Sequence, residues 1–514
     1  MAKGTAVQGQ AAADISRAGR ISVYELFRSR VRRDPDALAA EEGVRQLSYR
    51  ELDARVRRVA TLLRQHDVQH GDRIALLSEN RTEYLELQLA AARIGAIVAC
   101  QNWRLASAEL QHCISLVTPK LVVVSERFAP ALAVLDVGEV KVVTFGAGYN
   151  AAVDALAEDT IETAVDPEDG LVILYTSGTT GLPKGALISH RAEIARNALL
   201  RMDMNAADSD GFVAWAPMFH MGSTDQTLGA MMSGAAVIII DGFDAGKIVD
   251  AITRHRIGWL LLMPGSIEPV VSLLQQRPVT VKGVRVVGAM ADLLPTKLIA
   301  ELSGLIGAPF LNSFGSTETG LPPASAALIP PGIVPNSLSK RQSALCDVKL
   351  VDPDNNEVAD GEPGEVAIRG PTVFSGYWNA PETNARDFAG GWFRMGDLFR
   401  RNPDNSFDFV DRAKYMIKSG GENVYPAEIE RVLLADPRVA DAVVVRKRDA
   451  TWGEVPVAFI ARLDDALNEA DIEAMCRREL ASYKRPKDVR FVAFDDLPRS
   501  TTGKIQRHEV EKWL

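Results

Sequence analysis

Between Tyr175 and Gly185 the chain reads Tyr-Thr-Ser-Gly-Thr-Thr-Gly-Leu-Pro-Lys-Gly. Glycines at 178, 181 and 185 let a backbone turn tightly and approach a ligand closely. Ser177, Thr179 and Thr180 add hydroxyls and Lys184 a compact positive charge, a set suited to phosphate. The apolar run Leu171-Val-Ile-Leu174 precedes them, so these donors follow directly on a buried strand. This is not the P-loop of ordinary nucleotide hydrolases. That motif sets Gly-Lys-Ser/Thr five residues after its first glycine, where this chain has Pro183.

Four more stretches carry groups that could do chemistry. Asn312-Ser-Phe-Gly-Ser-Thr-Glu-Thr319 sets a hydroxyl and a carboxylate side by side at Thr317 and Glu318. A hard carboxylate oxygen suits Mg2+, which bridges readily to phosphate oxygens. Trp392-Phe-Arg-Met-Gly-Asp397 ends on a carboxylate able to accept from both hydroxyls of a ribose. The run Asp411-Arg-Ala-Lys-Tyr-Met-Ile-Lys-Ser-Gly-Gly421 joins charge to a glycine pair, and Pro498-Arg-Ser-Thr-Thr-Gly-Lys-Ile505 places a lysine after glycine near the C-terminus. Singly, each has a bland reading: a loop and helix N-cap, a turn at a strand end, a tight turn, a solvated charge.

Together, and in this order, the five stretches resemble the motifs of the adenylate-forming superfamily, which includes acyl-CoA synthetases, peptide-synthetase adenylation domains and luciferases. The resemblance implies that Thr176, Ser177, Gly178, Thr179, Thr180, Gly181 and Lys184 follow the β- and γ-phosphates of ATP. Ser313, Phe314 and Gly315 join the nucleotide site, with the Phe314 ring on adenine, Thr317 on the α-phosphate and Glu318 on magnesium. Asp397 and Arg412 take the ribose; Met395 stands where the family usually has threonine. Lys414 occupies the hinge position, and Tyr415 departs from the acidic residue common after it. Ser419, Gly420 and Gly421 lie near the incoming thiol of coenzyme A, and Lys504 is the lysine that adenylating enzymes bring to the reacting atoms.

The acid pocket is less sharply marked. Pro217-Met-Phe-His-Met-Gly222 resembles the family segment lining the acyl site, which assigns His220, Met221 and Asp225 to it, with Gly288 and Ala289 beside them. A buried structural histidine explains His220 equally well. A buried carboxylate is costly unless paired. Asp225 therefore either meets a hydroxyl or cation of the substrate, or points away or pairs with a helix terminus.

These residues need a scaffold, and the sequence alternates the elements for one. Ser48 and Glu51 form a capping-box pattern ahead of Leu52, Val56, Val59 and Leu63 at helical spacing. Short apolar strands at Ile74–Leu77, Ile97–Ala99, Val122–Val124 and Val142–Phe145 alternate with helices such as Glu83–Arg93. That alternation predicts a parallel sheet covered on both faces. From about Cys346 the strands shorten, with Asn/Asp/Pro turns after Val351 and Arg401. The last hundred or so residues carry their own pattern: strands at Ala442–Val445 and Val455–Leu463, a helix at Asp471–Leu480, and a strand at Val489–Phe494.

The resemblance thus implies an α/β fold. A large N-terminal part, 21–411, has two α/β layers and a small β-barrel over about 346–411. A smaller mobile α+β C-terminal domain spans 412–514, and residues 1–20 form a disordered arm. With 514 residues, two or more cores are expected. The formal charge of −9 argues against a nucleic-acid partner. Cys100, Cys113, Cys346 and Cys476 lie far apart without metal spacing and read as free thiols of a reducing compartment. No run approaches a membrane span, so the expected location is the cytoplasm.

The implied activity is an acyl-CoA synthetase acting on a fatty or aryl acid. ATP and Mg2+ activate the carboxylic acid as its adenylate, and coenzyme A takes the acyl group. The alternatives are a stand-alone enzyme loading a carrier-protein thiol and, remotely, a silent adenylate binder; a homodimer is left open. The silent binder's natural mark is loss of Lys504 or Glu318, and both are present.

Overall fold

A computed structural model describes residues 10–176, 182–289, 291, 294–419, 422–499 and 505–514. It divides into two compact units. One comprises Met1–Ser337, Gln342–Asp347 and Arg369–Arg386; the other comprises Leu338–Arg341, Val348–Ile368 and Asp387–Leu514. Among the described residues, no helix is long and apolar enough to cross a membrane.

The first unit is built on parallel β-structure. Its largest sheet has six strands in the order Lys141–Phe145, Leu121–Ser125, Arg73–Leu77, Ile97–Cys100, Gly170–Thr176, Lys184–Ser189. All neighbours are parallel except the last pair, a hairpin. Residues Ile74 to Leu77 and Leu121 to Val124 are at most 1% exposed, which is why they read as unbroken apolar runs. A second sheet orders Arg45–Ser48, Leu38–Glu42, Val237–Ile239, Phe212–Ala214, and a third orders Ile257–Leu261, Val284–Gly288, Phe310–Leu311, Leu328–Ile329. The capping box closes as its residues require: Glu51 N–H donates to Ser48 Oγ at 3.3 Å, and Ser48 N–H to Glu51 Oε2 at 2.8 Å, opening the helix Tyr49–Gln65.

In the second unit a sheet of five strands occupies the stretch where a small barrel is expected. Its members are Asp347–Val351, Pro363–Arg369, Trp392–Arg401, Phe388–Ala389 and Phe407–Arg412. Another five-stranded sheet follows, with Val439–Asp449 antiparallel to Gly453–Arg462 and Asp488–Val492 parallel to the latter. Alternate residues of its strands feed different cores. Ala442, Val444, Ala458 and Ile460 join Ile429, Leu433 and Ile472 on one face, while Val443, Val445, Val457 and Phe459 join Leu497 and Val510 on the other.

One expectation changes at the N-terminus. Within the arm read as disordered, Gln10–Ala18 is a helix. Arg20 just after it pairs with Asp166. The segment lacks a long apolar run but is alanine-rich, and alanine has the highest intrinsic helix propensity.

Candidate active site

The phosphate-type stretch links two antiparallel strands. Gly170–Thr176 rises through the sheet and Lys184–Ser189 returns antiparallel, with Tyr175 opposite Gly185 and Thr176 opposite Lys184. Register therefore sets Lys184 directly across from Thr176, both half-buried at the end of the sheet. Ser177, Gly178, Thr179, Thr180 and Gly181 lie outside the described residues.

A third segment runs along the hairpin's outer strand. Leu187 N–H donates to Gly376 O at 3.0 Å, Ser375 N–H to Leu187 O at 2.8 Å and Trp378 N–H to Gly185 O at 2.7 Å. These bonds bring the Tyr377 ring beside Lys184, whose Nζ stands 4.6 Å from the ring centroid. The Tyr377 hydroxyl donates to Glu318 Oε1 at 2.7 Å. Phe374 N–H also donates to the Glu318 carbonyl at 2.8 Å. A phosphate-type cation and a magnesium-type carboxylate thus meet on one tyrosine.

Glu318 owes its position to a tight hairpin, Gly315–Ser316 against Gly320–Pro323. A Cβ at Gly315 would lie 1.9 Å from the Gly320 carbonyl oxygen, so only glycine permits this approach. Ser313, Phe314 and Glu318 are at most 9% exposed, and Phe314 N–H donates to Ser325 Oγ at 3.0 Å. The half-buried Thr317 directs its carbonyl toward Arg196, whose Nη2 donates to it at 3.1 Å.

Arg196 is the feature the sequence reading missed. It lies on the helix His190–Met204, and its side chain is 2% exposed. Its Nε donates to Thr372 O at 3.1 Å and its Nη1 to Asp225 Oδ2 at 3.2 Å. Asp225, on Met221–Ser233, is thus engaged by a cation of the neighbouring helix, and not by a helix terminus. Glu193, one turn before Arg196, is fully buried. Burial, and then the Asp225 charge, push the Glu193 carboxyl far above the ordinary carboxylate range. Its neutral form leaves one carboxylate and one guanidinium in the core. Glu193 and Arg196 at i, i+3 on an otherwise apolar-facing helix were the available signal.

His220 precedes that second helix as its N-cap residue without a side-chain capping bond. Its ring lies 4.5 Å from that of Phe219, and its buried Nε2 has no hydrogen-bond partner among the described residues. Burial and then Arg104 push its pKa down to about 4, so the imidazole is neutral at neutral pH. Met221 is half-buried beside it. Gly288 ends its strand, its carbonyl accepting from Trp259 Nε1 at 2.7 Å, and Ala289 follows at 6% exposure.

In the second unit, Asp397 and Arg412 are cross-strand partners in register. Arg412 Nε stands 3.1 Å from Asp397 Oδ1, and Asp397 is 3% exposed while Arg412 is exposed. The two residues expected to hold the ribose are therefore neighbours. Asp411 accepts from Ala427 N–H at 2.8 Å, near the start of the helix Pro426–Leu434, where a carboxylate is favourable. Lys414 sits in the 3-10 turn Ala413–Tyr415 with its Nζ 4.8 Å from the Tyr415 ring, and the Arg507 guanidinium stands 4.6 Å from the same ring. Where the family commonly has a carboxylate, Tyr415 offers its ring to two cations. Ser419, 3% exposed, pairs with Glu422 across a hairpin whose Gly420 and Gly421 lie outside the described residues, as does Lys504.

The donor set fits magnesium carried on a nucleotide. Glu318 offers a hard carboxylate fixed at one oxygen, and phosphate oxygens and water would complete the shell. Such a site needs no dedicated protein cage, and among the described residues no group of three or more His, Cys, Asp or Glu forms one.

Comparison with known proteins identifies the family. The family model of the AMP-binding enzymes matches residues 27–378, and that of the AMP-binding enzyme C-terminal domain matches residues 428–504. Over 495 residues the chain is 34% identical to the indoleacetate–CoA ligase of Aromatoleum aromaticum, covering 93% of this chain and 95% of that protein. It is 33% identical over 489 residues to a feruloyl-CoA synthase of an Amycolatopsis species, covering 94% of this chain and 97% of that protein. Among solved structures, ATP-bound MatB from Rhodopseudomonas palustris is similar at a TM-score of 0.82 and 28% identity, over 96% of this chain and 99% of that one. With both domains matched and the likeness running almost end to end, the chain belongs to the AMP-binding, adenylate-forming enzymes and is an ATP-dependent acid–thiol ligase.

Proposed function

We propose that this ligase activates an aromatic or arylalkyl carboxylic acid and transfers its acyl group to coenzyme A. The convergence of Lys184 and Glu318 on Tyr377 carries the nucleotide chemistry. The acid class rests on relatives named for indoleacetate and for a feruloyl group.

In the first step a carboxylate oxygen of the acid attacks the α-phosphorus of ATP, and the bond to pyrophosphate breaks. Magnesium, when bound, offsets charge on the phosphate oxygens. Glu318 holds it, Thr317 meets the α-phosphate, and Lys184 with the hydroxyls of 176–180 holds the outer phosphates as they leave. Asp397 and Arg412 fix the ribose, and Phe314 covers adenine. The role given to Lys504 is to relieve, with its positive charge, the repulsion between two anions that must approach each other. In the second step the thiol of coenzyme A loses its proton and attacks the acyl carbonyl, and AMP departs with the electron pair of the broken C–O bond. Ser419, Gly420 and Gly421 border the thiol's path. Neutral His220, with Met221, Gly288 and Ala289, lines the acid's side of the site.

Incubation with ATP, Mg2+ and coenzyme A tests the class directly, using a panel of arylacetic, hydroxycinnamic, fatty and dicarboxylic acids with thioesters quantified by mass spectrometry. Aryl acids should give the highest kcat/KM; preference for a fatty or dicarboxylic acid refutes the aryl assignment. Acid-dependent pyrophosphate exchange without thioester on coenzyme A, but with loading of a carrier protein, identifies the carrier-loading alternative.

In this reading Lys414 serves as the hinge between the two half-reactions. Proline fixes φ near −65° and removes an N–H. Lys414→Pro should retain acid-dependent pyrophosphate release while losing thioester formation. Equal loss of both steps in a folded variant means that the hinge lies elsewhere.

A further inference from the structure

We propose that Tyr377 is a positioning residue for the nucleotide's metal and phosphates, holding Glu318 with its hydroxyl and Lys184 on its ring face. The proposal rests on the reading above, in which Glu318 receives magnesium and Lys184 the outer phosphates.

Tyr377 is fixed from every side before either charged partner is counted. Its N–H donates to Asn384 Oδ1 at 2.8 Å and its carbonyl accepts from Asn384 Nδ2 at 2.9 Å, so one side chain closes on both backbone groups. Tyr377 bridges to Ala186 on the hairpin strand, and its ring packs edge-on against Phe374 at 4.8 Å. The residue is 7% exposed. A buried tyrosine generally spends its hydroxyl on a partner, and this one spends it on Glu318 Oε1 at 2.7 Å.

Two consequences follow from the shape of the side chain. A carboxylate oxygen that accepts one hydrogen bond keeps lone pairs for a metal, so the hydroxyl orients Glu318 without consuming it. The ring face attracts an ammonium through its quadrupole. Lys184, at 4.6 Å from the centroid, is therefore held by a neutral partner, which does not cancel its charge. Outer residues that orient a metal-binding group commonly contribute ten- to a hundredfold in metal affinity.

The test is Tyr377→Phe, which keeps the ring and its packing and deletes only the hydroxyl. Mn2+ serves as the probe, bound to the full-length protein with α,β-methylene-ATP and followed by electron paramagnetic resonance. Tyr377→Phe should raise the Mn2+ Kd about tenfold. Affinity for the metal-free analogue in EDTA and the melting temperature should match the parent, since the ring remains. Tyr377→Leu should in addition weaken metal-free binding of the analogue, because Lys184 loses the face it rests on. An unchanged Mn2+ Kd in Tyr377→Phe overturns the proposal. A Tyr377→Phe protein that loses metal-free affinity to the same extent overturns it too, because the hydroxyl then serves the local fold. Glu318→Gln separates the proposal from the reading beneath it. If this control leaves Mn2+ binding intact, the assignment of Glu318 is wrong; if it loses Mn2+ while Tyr377→Phe does not, the role of Tyr377 alone is wrong.

Discussion

Alanine at position 504 is expected to slow acyl-adenylate formation about a hundredfold while sparing the transfer to coenzyme A. The physical basis is charge. In the first step an anionic carboxylate approaches an anionic phosphate, and a cation between them relieves the repulsion as the transition state forms. Removing one such donor costs on the order of 3 kcal/mol, about a hundredfold in rate. The second step joins a thiol to an acyl carbonyl and expels AMP, a different distribution of charge. The two half-reactions should be measured separately on Lys504→Ala, as acid-dependent pyrophosphate release and as conversion of supplied acyl-adenylate to acyl-CoA. Wild-type pyrophosphate release would falsify the assignment, leaving Lys504 a solvated residue after Gly503.

The second large effect is on stability, at Arg196. The guanidinium is buried with Asp225 and Glu193, and it also donates to two backbone carbonyls. Removing one partner of a buried pair strands the other's charge, at a cost of about 3–5 kcal/mol. Arg196→Met, which keeps an aliphatic stem, should lower the urea midpoint accordingly. Adding Asp225→Asn and Glu193→Gln should recover part of the loss, because no charge is then left without a partner.

The pH dependence has a definite sign. The Glu193 pKa is raised in the folded state, chiefly by burial and then by Asp225. Its contribution is thus fully present below its unfolded value and is lost as pH rises toward the folded one. Arg196 opposes that rise. Arg196→Met should therefore steepen the fall in stability above the ordinary carboxylate range, and Glu193→Gln should flatten it. A parallel pH profile in Arg196→Met and the parent would mean that Arg196 does not sense these carboxylates.

What was legible in the sequence divides along a physical line. The strands Arg73–Leu77 and Leu121–Ser125 could be read because burial on both faces leaves a continuous Leu/Val/Ile run. The nucleotide motifs could be read because their residues are close neighbours in the chain. Asp397 and Arg412 could each be assigned to the ribose from their motifs, while their cross-strand pairing appears only in the fold. Tyr377 and Glu318 are 59 residues apart, and Arg196 and Thr317 are 121 apart. Such contacts exist only once the fold brings distant segments together; the i, i+3 spacing of Glu193 and Arg196 marks a charged spot on the helix but does not say what it meets. Asp225 shows the same limit. The chain announced a carboxylate that needed a partner, but the partner was on another helix.

The third segment on the phosphate-type hairpin has another consequence. Lys184–Ser189 is the outermost strand of the six-stranded sheet, and an outermost strand exposes a row of backbone donors and acceptors to any passing chain. Residues Ser375 to Trp378 cover part of that row with their own amides and carbonyls. This cover arrives nearly two hundred residues after the strand it protects. During synthesis the nascent chain therefore carries an unprotected edge until Trp378 emerges. A fragment cut before Gly376 keeps that edge permanently, inviting chain-to-chain pairing and aggregation. The natural place to truncate this half of the enzyme is beyond Trp378, even though the sheet's own strands are complete by Ser189.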